Sequence, residues 1–239
     1  MQNTSMFDTL LELPMFRGVS REKIAEVVGR SKFHFLKFGA DSEVVRFGEK
    51  CTHLKFILRG RIRLTTAAPD NNYSISQTLE GPDVVLPDFL FGRVTSYPST
   101  GKSLTEVSML QIEKSDYLKI LAEDNVFLLN YLNYLSMDAQ KNMGVLALSG
   151  LDIEKRIAFR IIALTQASGK EIELECSQGE WWRVFGVEKT LLVGALERMR
   201  TQGLIDFRCP PPENNSQMSV ICVKNRRGLV DLLTDGGSF

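Results

Sequence analysis

The sequence has no charge of either sign to spare. Lys plus Arg equals Asp plus Glu, at 29 each. From Leu151 onward there are 12 basic and 12 acidic residues, so the last part of the chain is balanced as well. A protein held on nucleic acid by charge alone needs a basic excess. Any DNA contact must therefore rest on a local arrangement of side chains. Cysteine and histidine are also scarce, at four and two in 239 residues. Cys51, Cys176, Cys209 and Cys222 never fall at CxxC spacing, which speaks against a zinc site and leaves reduced, partly buried thiols as the expectation. No apolar run reaches the ~18 residues of a spanning helix. The first residues lack a basic stretch followed by an apolar core, so no export signal is read and a cytoplasmic protein is expected. No nucleophile–base pair, phosphate loop or metal-ligand spacing is present, so an enzyme is not expected. Lone carboxylates such as Glu106 read as surface charges.

What is present changes character along the chain. Thr9, Leu10, Leu11 and Leu13 read as a helix ended or turned by Pro14. Ser20 is a natural N-cap for a second helix over 21–29, with Ile24, Val27 and Val28 on one side. From 33 to 112 the period becomes two. The runs Phe33-His34-Phe35-Leu36-Lys37-Phe38, Val44-Val45-Arg46-Phe47, Leu54-Lys55-Phe56-Ile57-Leu58 and Ile62-Arg63-Leu64 are separated by glycines and by Pro69-Asp70-Asn71-Asn72. Short alternating runs with turn signals between them predict an antiparallel barrel or jelly roll.

A helical stretch follows over 114–148. Leu128, Leu132, Leu135, Ala139, Asn142 and Leu146 recur in steps of four and three, a coiled-coil seam with one polar position. Phe127, Tyr131 and Tyr134 form a second apolar stripe. A helix apolar on two sides needs cover on two sides. One stripe can face a twin helix in a dimer and the other the barrel; the plainer reading is a core helix packed within its own subunit. Ser149-Gly150-Leu151-Asp152 then breaks the pattern with a capping-box spacing and a hinge glycine. Ile153, Ile157, Ile161 and Leu164 mark the core face of the next helix, which ends near Gly169.

The final part predicts a short helix over 180–185, a turn at Gly186, and an amphipathic helix over 188–201. Leu191, Leu192, Ala195, Leu196 and Met199 are its expected inner face, and Gly203 ends it. Strand-like 204–208 and 219–223 flank a polar, proline-rich segment. A short helix with Leu229, Leu232 and Leu233 closes the chain.

Two sets of residues carry a resemblance. The first is Gly48 and Gly60 bracketing Leu54-Lys55-Phe56-Ile57-Leu58, followed by Arg61-Ile62-Arg63-Leu64. The second is Leu151-Asp152-Ile153-Glu154-Lys155-Arg156-Ile157-Ala158, then Phe185-Gly186-Val187 and 196–205. In order and spacing, over about 13–223, they resemble Crp/Fnr-family transcription regulators. The resemblance implies an α+β chain in three parts. These are a cyclic-nucleotide-binding-like β-barrel sensor over 1–123 with flanking helices, a long dimerisation helix and hinge over 124–149, and a winged helix-turn-helix over 150–239. It further implies double-stranded DNA, a second copy of the chain and RNA polymerase as partners.

The sequence also departs from that family. Cyclic AMP sensors carry a Gly-Glu pair for the ribose and a later Arg for the phosphate. The corresponding segment here is Phe89-Leu90-Phe91-Gly92-Arg93-Val94-Thr95, with Arg93 in place of the acid. Cyclic AMP is therefore not expected. Arg93 reads either as an anion contact from a new position or as a surface residue. The expected effector pocket is Phe89, Leu90, Phe91, Gly92, Arg93 and Thr95, with Tyr131 and Tyr134 from the long helix, and its effector is unassigned. Haem and iron–sulfur are unsupported too, since His34 and His53 lie in strand-like runs and no N-terminal cysteine cluster exists. For DNA, the outward positions are Lys189, Thr190, Val193, Gly194, Glu197 and Arg200. The family's reading triplet falls on Thr190, Val193 and Gly194, without its arginine. Arg183, Lys189, Arg198, Arg200, Arg208, Lys224, Arg226 and Arg227 are candidate phosphate contacts; Arg198 reads equally as an intrahelical ion pair. Trp182 falls where the family has a small residue, and reads as a change of docking angle or as a repacked core anchor. The alternative function is a degenerate ligand-binding or protein-interaction module without sequence-specific DNA binding.

Overall fold

The computed structural model describes residues 6–70, 72–143, 152–176, 181–208 and 219–234. The chain divides into two compact units. One is Met1–Leu64 with Thr78–Met137; the other is Thr65–Gln77 with Asp138–Phe239.

The first unit opens with helix α1 (Met6–Glu12), a 3-10 turn at Pro14–Phe16 and helix α2 (Arg21–Arg30). Pro14 begins the turn as well as closing α1, because a first helical position has no use for the N–H that proline lacks. Ser20 caps α2 as expected, its hydroxyl accepting the Lys23 N–H at 3.2 Å. Eight strands follow or lead into the sheets: β1 (Phe33–Phe38), β2 (Glu43–Val45), β3 (His53–Arg59), β4 (Arg61–Ala67), β5 (Tyr73–Glu80), β6 (Asp83–Val85), β7 (Thr100–Ser103) and β8 (Val107–Glu113). One sheet has the order β1-β8-β3-β6, with each neighbouring pair antiparallel. In the other, β5, β4, β7 and β2 follow one another. The result is an antiparallel β-sandwich with helices packed on it, consistent with the expected jelly roll. Phe16 ties the helices to the sheet, its ring 5.5 Å from Phe56 of β3 and 5.3 Å from Phe127, both edge-on.

The helical stretch after β8 is two helices, not one: α3 (Lys114–Glu123) and α4 (Asn125–Met143). Asp124 makes the break. Its backbone is extended, and its carboxylate accepts the N–H groups of Val126 at 2.8 Å and Phe127 at 3.3 Å. That is N-capping, which satisfies donors a continuous helix would leave to carbonyls. Along α4, Phe127 and Tyr131 are buried while Leu128, Tyr134 and Leu135 are half-buried. Leu129, Leu132, Met137 and Ala139 are exposed. Asn142 lies in the last turn of α4; Leu146, Ser149 and Gly150 fall outside the described residues.

The second unit contains helix α5 (Ile153–Ala163), strand β9 (Lys170–Cys176), short helix α6 (Trp181–Phe185), helix α7 (Lys189–Thr201), strands β10 (Ile205–Arg208) and β11 (Ser219–Val223), and helix α8 (Arg226–Thr234). Asp152 itself precedes α5 as its N-cap, without a side-chain hydrogen bond. Ile157 and Ile161 are buried as expected, but Leu164 is exposed, because α5 stops one residue before it. Antiparallel pairing joins β10 to β11 and β11 to β9. The tip of the β4–β5 hairpin belongs to this unit. Ile75 is part of its core with Tyr73 packed alongside, and the buried Gln77 side chain accepts the Gln166 N–H at 2.9 Å. A Cβ on Gly169 would lie 2.2 Å from the Gln77 oxygen, so a larger residue there would displace that side chain.

One element of this unit is under-satisfied. Nε and Nη2 of Arg226, at the start of α8, are buried and meet no acceptor among the described residues. Burial alone shifts its ionisation downward, with no acid among the described residues to oppose it. A desolvated cation without a partner costs more than an apolar group of the same shape. Arg226→Met should therefore stabilise this unit by about 1–2 kcal/mol, seen as a higher urea midpoint at unchanged slope; a lower midpoint refutes the account.

Among the described residues no helix is long and apolar enough to cross a membrane. No group of three His, Cys, Asp or Glu among them is placed to hold a metal. Among the described residues Cys51, Cys176 and Cys222 form no disulfide; the first two are buried and the third is half-buried.

Candidate functional site

Two regions gather the residues singled out in the sequence. The first lies in the sandwich. Gly48, in a left-handed conformation at φ +78°, starts a segment that runs antiparallel to 95–97. Gly48 N–H donates to Tyr97 O at 2.9 Å, Tyr97 N–H to Glu49 O at 2.9 Å and Cys51 N–H to Thr95 O at 2.7 Å. Between β6 and this segment, Pro87–Phe89 forms a single 3-10 turn entered through Leu86 at φ +44°. Tyr131 of α4 holds that turn: its buried hydroxyl donates to Pro87 O at 2.8 Å. Its ring meets Phe91 at 5.7 Å and Tyr117 of α3 at 5.6 Å, both edge-on. Lys114 places its ammonium 4.9 Å from the centre of the Phe91 ring.

The structure thus brings Leu90, Phe91 and Tyr131 together, with Phe89 and Tyr134 packed against the same core. Thr95 contributes its carbonyl. Gly92, at φ +95°, turns the chain outward, and Arg93 is exposed with Val94.

Several neighbours carry no signal in the sequence. Lys55 stands in the phase of β3 opposite to buried Leu54 and Phe56, a position that reads as solvent-facing. It is half-buried instead, its ammonium donating to Val44 O at 3.0 Å and lying 5.3 Å from the Tyr97 ring centre. Burial lowers its tendency to stay charged, against the pull of Glu49. Burial likewise holds Tyr97, Tyr117 and Tyr131 protonated far above the usual phenol range. The Cys51 thiol is pushed up by burial too, although its hydrogen bond with Tyr97 and the charges of Lys55 and Lys114 oppose the shift. At neutral pH it is a thiol rather than a nucleophilic thiolate. The Tyr117 hydroxyl is buried with no partner among the described residues. His34, on the edge strand β1, is exposed, and burial lowers the His53 value first of all.

The second region is α6, its turn and α7. Gly186 takes φ +65° at the turn, and its carbonyl accepts from Arg156 of α5 at 2.9 Å. Leu192, Ala195, Leu196 and Met199 are buried along α7. Leu191 is not: it is 53% exposed, because a helix turning ~100° per residue carries it past the edge of that face. Lys189, Thr190, Val193, Glu197 and Arg200 point outward as expected, and Gly194 is half-buried. Arg198 is paired with Glu154 of α5, not within its own helix. Arg200 lies 3.6 Å from Glu197 and over the Phe207 ring. The core anchor of α6 is Trp181, stacked on Phe185 at 5.9 Å. Trp182 is half-buried beneath Arg183. Arg208, Lys224 and Arg227 are exposed near the β10–β11 pair.

Residues 35–124 match the family model of the cyclic nucleotide-binding domain. No curated protein sequence matches the chain. Among solved structures, the chain is similar to the catabolite activator protein of Thermus thermophilus at 14% identity and a TM-score of 0.52, covering 93% of this chain and 99% of that one. A transcriptional regulator from Thermotoga maritima is similar at 15% identity and a TM-score of 0.46, over 53% of this chain and 97% of that one. A CooA variant from Carboxydothermus hydrogenoformans is similar at 15% identity and a TM-score of 0.44, over 84% and 88%. At such identities the likeness is one of fold. Residues 35–124 are thus similar to a cyclic nucleotide-binding domain, within a fold like that of the catabolite activator protein.

Proposed function

We propose that the chain is a DNA-binding transcription regulator that pairs with a second copy of itself and senses a small effector. The reading rests above all on one observation: behind a cyclic nucleotide-binding domain stands a short helix, a glycine turn and a second helix, α7, whose outer face is exposed. In a helix-turn-helix the second helix lies in the major groove. On this reading α6 and α7 are that motif, β10 and β11 its wing, and the DNA-binding part spans 150–239 behind a sensor over 1–123. Helix α4, within the 124–149 segment, supplies the pairing surface, through exposed Leu129 and Leu132 with Met137 and Ala139 beyond. RNA polymerase is a further partner of such a regulator.

The effector site is the turn at 87–91 with Tyr131, Tyr134 and Thr95. Its cations are Lys55 and Lys114, set under and over aromatic rings, with Arg93 outside at the rim. Tyr131 binds the turn from the same helix that pairs the subunits. An effector that shifts the turn thus shifts α4, and with it the spacing of two recognition helices.

Selection from a pool of random duplexes tests the reading. A palindromic sequence retained at physiological salt by a dimer supports it. Weak binding blind to sequence favours instead a ligand-binding or interaction module that has lost sequence-specific DNA recognition. The neutral C-terminal part and the Arg198–Glu154 pair are the observations on that side. Leu132→Asp should break the pairing, because a charge would be buried at a position 45% exposed in the single chain. The variant should sediment as a monomer and lose at least tenfold in DNA affinity; a variant that stays dimeric refutes the role of α4.

A further inference from the structure

We infer that α7 reads DNA chiefly through the methyl groups of thymine, and that its operator half-site is therefore centred on A·T pairs. The inference rests on the regulator reading above and names what that reading leaves open.

Four exposed or half-exposed positions form the stripe that enters a groove: Thr190, Val193, Gly194 and Glu197, spaced three and four residues apart. Leu191 borders it and is, like Val193, 53% exposed. The first half of the stripe bears only methyl groups, one hydroxyl and a bare backbone. Reading guanine takes Arg or Lys, and reading adenine takes Asn or Gln. None of these stands on that half. The arginines further along are engaged: Arg198 with Glu154, and Arg200 with Glu197 and the Phe207 ring. An apolar contact to the thymine C5-methyl is the direct base contact left to Leu191, Val193 and the Thr190 methyl.

The charges beside the stripe select DNA over a protein partner. Lys189 and Arg200 lie on one side of it, and Arg198, paired with Glu154, on the other. Among the described residues Lys189 pairs with no carboxylate. An apolar strip one side chain wide with Lys189 on its flank matches a groove floor beside a phosphate backbone. A protein-binding patch would instead be broad and contiguous. Gly194 completes the fit. A Cβ there meets only the mobile end of Arg198, at 3.3 Å, so packing does not demand glycine, although glycine weakens a helix. Its use is close approach of the helix backbone to the bases.

The full-length protein and a duplex obtained by the selection above test this directly. Each thymine of a half-site is replaced by deoxyuridine, which removes the methyl and keeps the base pair. Loss of affinity by roughly fourfold per contacted methyl, and disappearance of that loss at one position in Val193→Ser or Leu191→Ser, supports the inference. Gly194→Ala should raise the melting temperature while weakening DNA binding by at least tenfold. A selected duplex that tolerates uracil at every position overturns thymine reading and leaves the regulator intact. Failure to select any duplex overturns both. Equal binding by Gly194→Ala overturns the close approach.

Discussion

Gly60→Ala should unfold the first unit at markedly lower denaturant, with a loss on the order of 3 kcal/mol. Gly60 joins β3 to β4 at φ +95°, where an L side chain is strained whatever the space. There is no space either. A Cβ would stand 2.3 Å from the Glu106 carbonyl oxygen and 2.9 Å from the Val107 Cα. Both are backbone, and Val107 begins β8, the strand between β1 and β3. Relief would require β8 to move away from β3, opening the main antiparallel pairing of the sheet. Gly48→Ala, by contrast, meets nothing within 4 Å at φ +78°, so it carries strain without the clash and should cost about 1 kcal/mol. Four of the five tyrosines lie in this unit: Tyr97, Tyr117, Tyr131 and Tyr134. Their near-ultraviolet circular dichroism should therefore follow the loss. Equal midpoints for the two glycine variants refute the steric account.

That pair of glycines also shows what the sequence makes legible. Their spacing around an alternating run points to two strands and a tight joint, and both strands form. The two-residue alternation of β1 and β3, the Ser20 cap, and the apolar spacing of α5 and α7 are likewise local properties, so one sequence suffices to read them. β9 is equally regular, with Ile172, Leu174 and Cys176 buried and glutamates between them. Yet it goes unassigned in a reading that runs from one amphipathic helix to the next. The break at Asp124 hides for a different reason. A capping aspartate and an ordinary helical aspartate look alike until the backbone turns. The site was legible only where it is aromatic. Phe91 and Tyr131 stand out as large apolar residues in the right segments, whereas Lys55 and Cys51 gain their role from Tyr97 and Glu49, whose approach is decided by pairing across the sandwich. The place of Thr65–Gln77 in the second unit is tertiary too: nothing in a hairpin sequence says which core its tip will join.

The two adjacent tryptophans separate local pattern from packing most sharply. They are the only tryptophans in the chain, so intrinsic fluorescence reports on the second unit alone. The sequence leaves Trp182 as either a change of docking angle or a core anchor; the structure buries Trp181, 2% exposed, and packs Trp182 half-buried at the margin of the same core. Helix α6 has five residues, too few to hold itself together. It exists because Trp181, Val184 and Phe185 are buried against α5 and α7. Trp181→Ala should therefore cost about 3–5 kcal/mol. It should also free the turn at Gly186 that Arg156 clamps, and abolish DNA binding at concentrations where the parent protein is saturated. Trp182→Ala removes a half-buried ring and its contact with Arg183. It should cost about 1 kcal/mol and leave α7 in place, with DNA affinity within about threefold. The readout is a pair of urea titrations followed by the fluorescence of the remaining tryptophan, with the DNA titration beside them. If Trp182→Ala proves the more damaging in both, then Trp182 is the anchor, one of the two readings the sequence allows, and the register of α6 against α7 is wrong.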